Sequence, residues 1–71
     1  MAYTVRNFRS KKELREALGR GDRVVVYNPG LGGLVRDGAC FLEGPHYPES
    51  HRWAAEVQVR DGAIVPGSRV K

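Results

Sequence analysis

The segment "RWAAEVQVR", residues 52–60, alternates apolar and polar side chains along its whole length. A period of two is typical of a strand with one face on the core and one face in water. The Asp61-Gly62 pair that follows is a strong signal for a two-residue hairpin, so residues 63–71 are predicted to return beside this strand. Pro66 has no N–H to donate, which places the returning strand at an edge of the sheet. The predicted core-facing positions of residues 52–60 are Trp53, Ala55, Val57 and Val59.

The segment "SKKELREALG", residues 10–19, is the clearest helix signal in the chain. Ser10 is a good N-cap, and Glu13 three residues later is predicted to return the hydrogen bond in a capping box. Gly19 is predicted to supply the left-handed residue that ends the helix. The helix is expected to run for two to three turns, with its apolar face formed by Leu14, Ala17 and Leu18.

Three further segments are strand-like: residues 2–8, 22–28 and 38–44. In residues 22–28, Val24 and Val26 share one face. The pentapeptide "VRDGA" occurs at 35–39 and again at 59–63, so Asp37-Gly38 is predicted to form a second tight hairpin. The expected fold is α+β, a single domain over residues 1–71. It has one N-terminal helix packed on a four- to five-stranded, mainly antiparallel sheet, in the order β-α-β-β-β-β.

The length of 71 residues limits the size of the core. A chain this short buries only about 60% of the surface that its unfolded form exposes. Dimerisation through an edge strand would bury more surface, and it is kept as a possibility. The hydrophobic content of 41% and charged content of 28% are typical of a globular domain and exclude a disordered tail. These limits favour a small binding protein over an enzyme with its own deep cleft.

Three features that the sequence lacks predict the cellular compartment of the protein. No apolar run approaches the ~20 residues that a membrane span needs, and the N-terminus is too polar for a signal peptide. Cys40 is the single cysteine, so no internal disulfide is expected, and its apolar neighbours favour a small buried side chain. A cytoplasmic protein without a membrane partner is therefore expected.

The whole net charge of +4 lies in residues 1–23, which hold seven basic and three acidic side chains. The N-terminal turn of the helix and the basic side chains beside it would bind phosphates without recognising sequence. No stacking-aromatic or helix-turn-helix pattern supports that function, and a mixed-charge helix face is usually just solvated. Sequence-independent nucleic-acid binding is one alternative function, with phosphate contacts predicted for Arg9, Lys11, Lys12 and Arg15.

The segment "EGPHYPESHRWAAEV", residues 43–57, concentrates the residues suited to chemistry. His46 and His51 have the loose H-x-x-x-x-H spacing, and Cys40 has no paired cysteine, whereas structural zinc needs four ligands. No serine or cysteine nucleophile stands recognisably beside a base, so no catalytic residue and no cofactor are predicted. Metal binding by His46 and His51 is kept as a second alternative.

The same segment has a simpler structural interpretation. Gly44-Pro45 ends a strand, and the aromatic side chains close the open end of a small core. An exposed loop of this composition is also typical of a binding surface. The leading hypothesis is a non-catalytic protein that binds a protein partner through an interaction loop formed by His46, Tyr47, His51, Arg52 and Trp53.

The stretch "LEGPHYPESHRWAAEV", followed by "DGAIV", resembles a set of short uncharacterised proteins from bacteria, their phages and mobile elements. These proteins share a leading helix similar to "SKKELREA" and a "GPHYP…HRW" segment. The resemblance covers about two thirds of the chain. It implies no activity and no catalytic or binding residue, but it favours a small accessory protein over a housekeeping enzyme.

Overall fold

The computed structural model describes residues 2–46 and 49–71, with only the backbone of Leu31. It contains one α-helix and five strands in the predicted order, which confirms the α+β class, and also a short 3₁₀ turn that was not predicted. The elements are β1 (Tyr3–Thr4), α1 (Lys11–Gly19), β2 (Val26–Tyr27), a 3₁₀ turn (Pro29–Leu31), β3 (Gly38–Gly44), β4 (Trp53–Arg60) and β5 (Ala63–Ile64).

The strands form two antiparallel sheets, with orders β1-β2 and β3-β4-β5. Two isolated bridges connect them, a parallel one between Ala2 and Leu42 and an antiparallel one between Val25 and Ala63. β1 is shorter than predicted because Thr4 is buried and its hydroxyl donates to the carbonyl of Arg6 at 2.6 Å, which turns the chain. In place of the predicted single sheet, the strands form two sheets joined by single bridges, and Tyr3 and Tyr27 pair in the smaller one.

The two caps of α1 differ in detail from the prediction. Ser10 Oγ accepts a hydrogen bond from the Glu13 amide at 3.2 Å, as expected. The carboxylate of Glu13, however, accepts from the Arg9 amide rather than from Ser10. The left-handed residue is Gly21, with φ of 84°, and not Gly19, because the helix continues through Gly19 to an Arg20 cap in the right-handed region. The amide of Gly21 donates to the carbonyl of Leu18 and the amide of Asp22 donates to that of Ala17, and these two hydrogen bonds end the helix.

The second predicted hairpin, at Asp37-Gly38, is not formed. Gly38 has φ of 112° and begins β3, whose partner is β4 across residues 45–52. The Asp37 carboxylate instead accepts a hydrogen bond from the Asp61 amide at 3.0 Å. The hairpin at Asp61-Gly62 is confirmed, since both residues have positive φ and join β4 to β5.

The core lies between α1 and the inner face of β3 and β4. Leu14 and Ala17 of the helix are fully buried, while Leu18 packs half-buried at the margin. The predicted alternation in β4 is confirmed, because Ala55, Val57 and Val59 are buried and the residues between them are not. Cys40 is buried on the core face of β3, and burial raises the pKa of its thiol.

Candidate ligand-binding cleft

Among the described residues, four ring side chains line an open cleft of about 330 Å³ at the end of the two-stranded sheet. Tyr3 and Tyr27 come from β1 and β2, where they are direct partners in the antiparallel register. His46 and His51 come from the connection between β3 and β4. We name this feature the aromatic cleft, formed by Tyr3, Tyr27, His46 and His51.

Tyr3 is the central ring of the aromatic cleft. Its centroid lies 5.9 Å from that of Tyr27, 5.5 Å from that of His51 and 6.2 Å from that of His46. The contact with His46 is edge-to-face, at an interplanar angle of 87°. Such tilted and edge-on contacts are the favoured packing of aromatic rings, so the four rings support one another.

The ring of His46 is held by the backbone of β1. Its Nε2 atom lies 2.7 Å from the carbonyl oxygen of Thr4. A carbonyl oxygen only accepts, so Nε2 carries the proton and, in the neutral ring, Nδ1 carries the lone pair. The backbone amide of His46 also donates to the side-chain oxygen of Asn7 at 3.0 Å. His46 is thus fixed at both its backbone and its ring.

The ring of His51 is held by a carboxylate. Nδ1 of His51 lies 2.7 Å from Oε2 of Glu43, with side-chain exposures of 36% and 27%. The carboxylate accepts from Nδ1–H, which leaves Nε2 of the neutral ring without a proton. Both histidines of the cleft therefore have one ring nitrogen engaged by an acceptor, and in the neutral ring the other nitrogen carries the lone pair.

Trp53 is part of the structure that supports the cleft. Its Nε1–H donates to the carbonyl oxygen of Phe8 at 3.0 Å, and its ring is half-buried against the core. Gly44 faces the indole directly, and a Cβ at this position would overlap the ring. The amide of Arg52 donates to the carbonyl of Gly44 at 2.7 Å. These contacts tie the connection between β3 and β4 to the N-terminal segment.

Only some residues of the predicted interaction loop lie together in the structure. The structure brings His46 and His51 together in the cleft, whereas Arg52 is exposed and Trp53 is engaged by Phe8. Tyr47 lies outside the described residues. The sequence prediction missed Tyr3 and Tyr27, because their proximity to the histidines depends on the β1-β2 pairing. Glu43 lies in the segment that the sequence singled out, but its contact with His51 depends on how the connection folds back on the end of β3.

Cys40 does not join the histidines. It is buried on the core face of β3, away from the ring side chains that line the cleft. Across residues 2–46 and 49–71, no group of three or more His, Cys, Asp or Glu side chains is arranged to hold a metal ion. A four-ligand structural zinc site is thus not built from these side chains.

The predicted phosphate-contacting residues divide into two pairs. Lys11 Nζ donates to the backbone oxygen of Lys71 at 3.0 Å, and Arg15 Nη2 donates to the carbonyl of Val70 at 3.1 Å. Arg9 and Lys12 are exposed. Beside Arg15 lies an open groove of about 700 Å³, which we name the basic groove. Its lining residues are Arg15, Leu18, Gly19, Gly67, Ser68, Arg69, Val70 and Lys71.

Comparison of the chain with protein-family models, with curated proteins and with solved structures gives no match. The resemblance of the "GPHYP…HRW" segment to short bacterial and phage proteins therefore stays a prediction. Within the part of the chain that the structure describes, no helix has the length and apolar character needed to cross a membrane.

Proposed function

We propose that this chain is a non-catalytic interaction protein, and that it binds a protein partner by enclosing a basic side chain of that partner in the aromatic cleft. One observation carries the proposal. Two tyrosines and two histidines, from three separate parts of the chain, line one open cleft of about 330 Å³. That volume is at the small end of the range for ligand pockets, which suits a single side chain.

The cleft is rigid before a partner arrives. The ring of His46 is bonded to Thr4, the ring of His51 is bonded to Glu43, and Tyr3 packs against both. Little side-chain freedom is left to lose on binding, and this freedom otherwise costs about 0.5–1.5 kcal/mol per ordered side chain. Tyrosine is also among the residues that dominate interface energetics.

The chemistry of the cleft favours a cation. The faces of the tyrosine rings attract an ammonium or guanidinium group, with about 0.5–2 kcal/mol per contact. In the neutral form, each histidine carries a lone pair on one ring nitrogen, which accepts a hydrogen bond. Lysine and arginine side chains only donate hydrogen bonds. The Glu43 carboxylate beside His51 adds negative charge. An acidic side chain would meet none of these favourable contacts.

A titration of the isotopically labelled protein with blocked Gly-Arg-Gly, Gly-Leu-Gly and Gly-Glu-Gly peptides tests this proposal. Only the arginine peptide should move the amide signals of Tyr3, Tyr27 and His51. Tyr27→Ala should remove the shifts, whereas Val25→Ala, an exposed neighbour in the sequence, should not. Equal shifts from all three peptides would contradict a cation-selective cleft.

Sequence-independent nucleic-acid binding is a second candidate, favoured by the basic groove. Arg69 and Lys71 lie with Arg15 along this groove, and no carboxylate side chain is among its lining residues. Phosphates would bind there through charge, so oligonucleotide affinity should fall steeply as salt is raised. Arg69→Gln should weaken binding and reduce the salt slope, while Arg36→Gln, outside the groove, should do neither.

A cytoplasmic location and dimerisation through a strand edge are expectations from the sequence. Each stays a prediction. Sedimentation at several protein concentrations would decide the oligomeric state.

A further inference from the structure

The five strands follow one another in a ring, and one stretch of that ring has a strand on only one side. Around the ring, β1 pairs with β2, β2 reaches β5 through the bridge between Val25 and Ala63, β5 pairs with β4, and β4 pairs with β3. The ring closes through the single parallel bridge between Ala2 and Leu42, which lies in the second half of β3. Within the described residues, the first half of β3 is therefore an open edge.

The direction of the hydrogen bonds shows which backbone groups of β3 lie on this edge. The Ala2 amide donates to the Phe41 carbonyl, and the Ala2 carbonyl accepts from the Glu43 amide. Odd-numbered residues of β3 thus direct their backbone groups away from β4, because successive residues of a strand point these groups to opposite sides. The N–H and C=O of Ala39 and the N–H of Phe41 therefore face outward. No residue in the ranges 2–46 and 49–71 bonds to these three groups.

An open groove of about 300 Å³ lies beside the open edge. We name it the edge groove. It is lined by residues 39–41 of β3, by Ala2, and by Asn28, Val35 and Arg36. Most of these side chains are apolar, and the Phe41 ring is 57% exposed. The edge groove thus offers apolar surface directly beside unpaired backbone groups.

The polar side chains of the edge groove are hydrogen-bond donors. Arg36 is exposed, and no carboxylate is among the described residues that line the groove. The carboxylate of the neighbouring Asp37 accepts from the Asp61 amide. Asn28 Oδ1 accepts from the Gly30 amide at 3.0 Å, so the NH₂ group of Asn28 is left to donate. This charge and these donors favour an acidic residue in a segment that binds here.

We propose that the open edge of β3 binds an extended segment of a partner protein by β-strand addition, with apolar side chains in the edge groove and an acidic side chain beside Arg36. Unpaired N–H and C=O groups along a strand are a template for another strand. A second copy of this chain fits less well. The β3 of that copy is flanked by Ala2 in the same way, which leaves only a few residues of each edge to pair.

Hydrogen exchange of the labelled protein, with and without peptide, tests the proposal. In the free protein the amides of Ala39 and Phe41 should exchange rapidly, and the amide of Cys40, which faces β4, should exchange slowly. A blocked pentapeptide of alternating valine and glutamate should slow exchange at Ala39 and Phe41 and give saturable shifts at residues 39–41.

Two further peptides separate backbone pairing from charge. The same peptide with every backbone amide N-methylated has no N–H to donate, so it should bind at least about fivefold more weakly. A peptide of alternating valine and lysine should bind about threefold more weakly than the glutamate peptide, because it places like charge near Arg36.

Arg36→Gln tests the acidic side chain of the partner. It should weaken binding of the glutamate peptide by about threefold and leave the lysine peptide bound no more weakly than before. Arg60→Gln is the matched control, since Arg60 is exposed and is not among the residues that line the edge groove. The amide spectrum of each variant shows whether it is folded.

Four results would overturn the proposal. Equal binding of the N-methylated peptide would contradict backbone pairing. Slow exchange at Ala39 and Phe41 in the free protein at every concentration would mean that the edge is paired within the chain. Exchange that slows as the protein concentration rises would assign the edge to a second copy. Equal losses in Arg36→Gln and Arg60→Gln would indicate general charge attraction.

This inference does not rest on the function proposed for the aromatic cleft. The edge groove and the aromatic cleft have no described lining residue in common. The alternating peptides are followed at residues 39–41, whereas the blocked arginine peptide is followed at Tyr3, Tyr27 and His51. Failure of one proposal is therefore distinguishable from failure of the other.

Discussion

Nδ1 of His51 and Oε2 of Glu43 lie 2.7 Å apart, so the connection between β3 and β4, residues 45–52, is bonded near its end to the last part of β3. The bond fixes the His51 ring against Tyr3, whose centroid is 5.5 Å away. Seven residues, 44–50, lie between the two in sequence, and no regular period relates them. The pair exists because β3 and β4 are antiparallel, which brings the two ends of the connection together.

Trp53→Phe should destabilise the fold by about 1–2 kcal/mol. The change keeps an aromatic ring but removes the Nε1–H that donates to the Phe8 carbonyl, leaving that oxygen without its partner. Urea unfolding followed by circular dichroism measures the effect. Phe41→Leu is the control, because Phe41 is 57% exposed and should change stability by less than about 0.5 kcal/mol. Equal effects in the two variants would contradict the role of the indole N–H.

Gly44→Ala should destabilise the protein by about 1–3 kcal/mol, because the added Cβ would overlap the indole ring of Trp53. Gly19→Ala is the matched substitution, since Gly19 is helical and has open space around its Cβ direction. It should stabilise by about 0.5–1 kcal/mol. Thermal unfolding should show a lower midpoint temperature for Gly44→Ala and a higher one for Gly19→Ala than for the parent. A neutral Gly44→Ala would show that the Trp53 ring has room to move.

Asp22→Asn should reduce the loss of stability in acid. The hydrogen bond from the Arg20 guanidinium, with further attraction from Arg6, holds the pKa of Asp22 below its usual 3.8. A lowered folded pKa contributes stability that is present above the unfolded pKa and is lost as the pH falls through the folded pKa. The free energy of unfolding of the parent should therefore fall more steeply below about pH 4.

Arg20→Gln tests whether the Arg20 guanidinium is what lowers the pKa of Asp22. It should weaken the acid dependence of the parent and have little further effect in the Asp22→Asn background. Additive effects of the two substitutions would contradict the proposed pair.

Cys40 should resist a thiol reagent in the native protein. Its side chain is buried, and burial raises the pKa of the thiol, so the reactive thiolate is scarce. At pH 8, the reaction of Cys40 with an aromatic disulfide that releases a coloured thiolate should be slow in buffer and fast in urea. Rapid native reaction would mean that the core face of β3 opens readily to solvent.

The sequence determined much of the fold. The alternation in β4, the Asp61-Gly62 turn and the Ser10 cap are local signals, and each is present in the structure because neighbouring residues alone specify it. The prediction at Asp37-Gly38 was wrong. The same two residues that turn a chain at 61–62 do not do so there, since β3 finds its partner in β4.

The sequence also identified His46 and His51 as the unusual residues, from their composition alone. It had no signal for Tyr3 or Tyr27, which complete the cleft, and it placed Glu43 in the same segment without its contact to His51. Those residues meet only when β1 pairs with β2 and the connection between β3 and β4 folds back on Thr4. Local propensity acts over a few residues, whereas a site depends on contacts between distant segments, so the tertiary structure decided which side chains stand together.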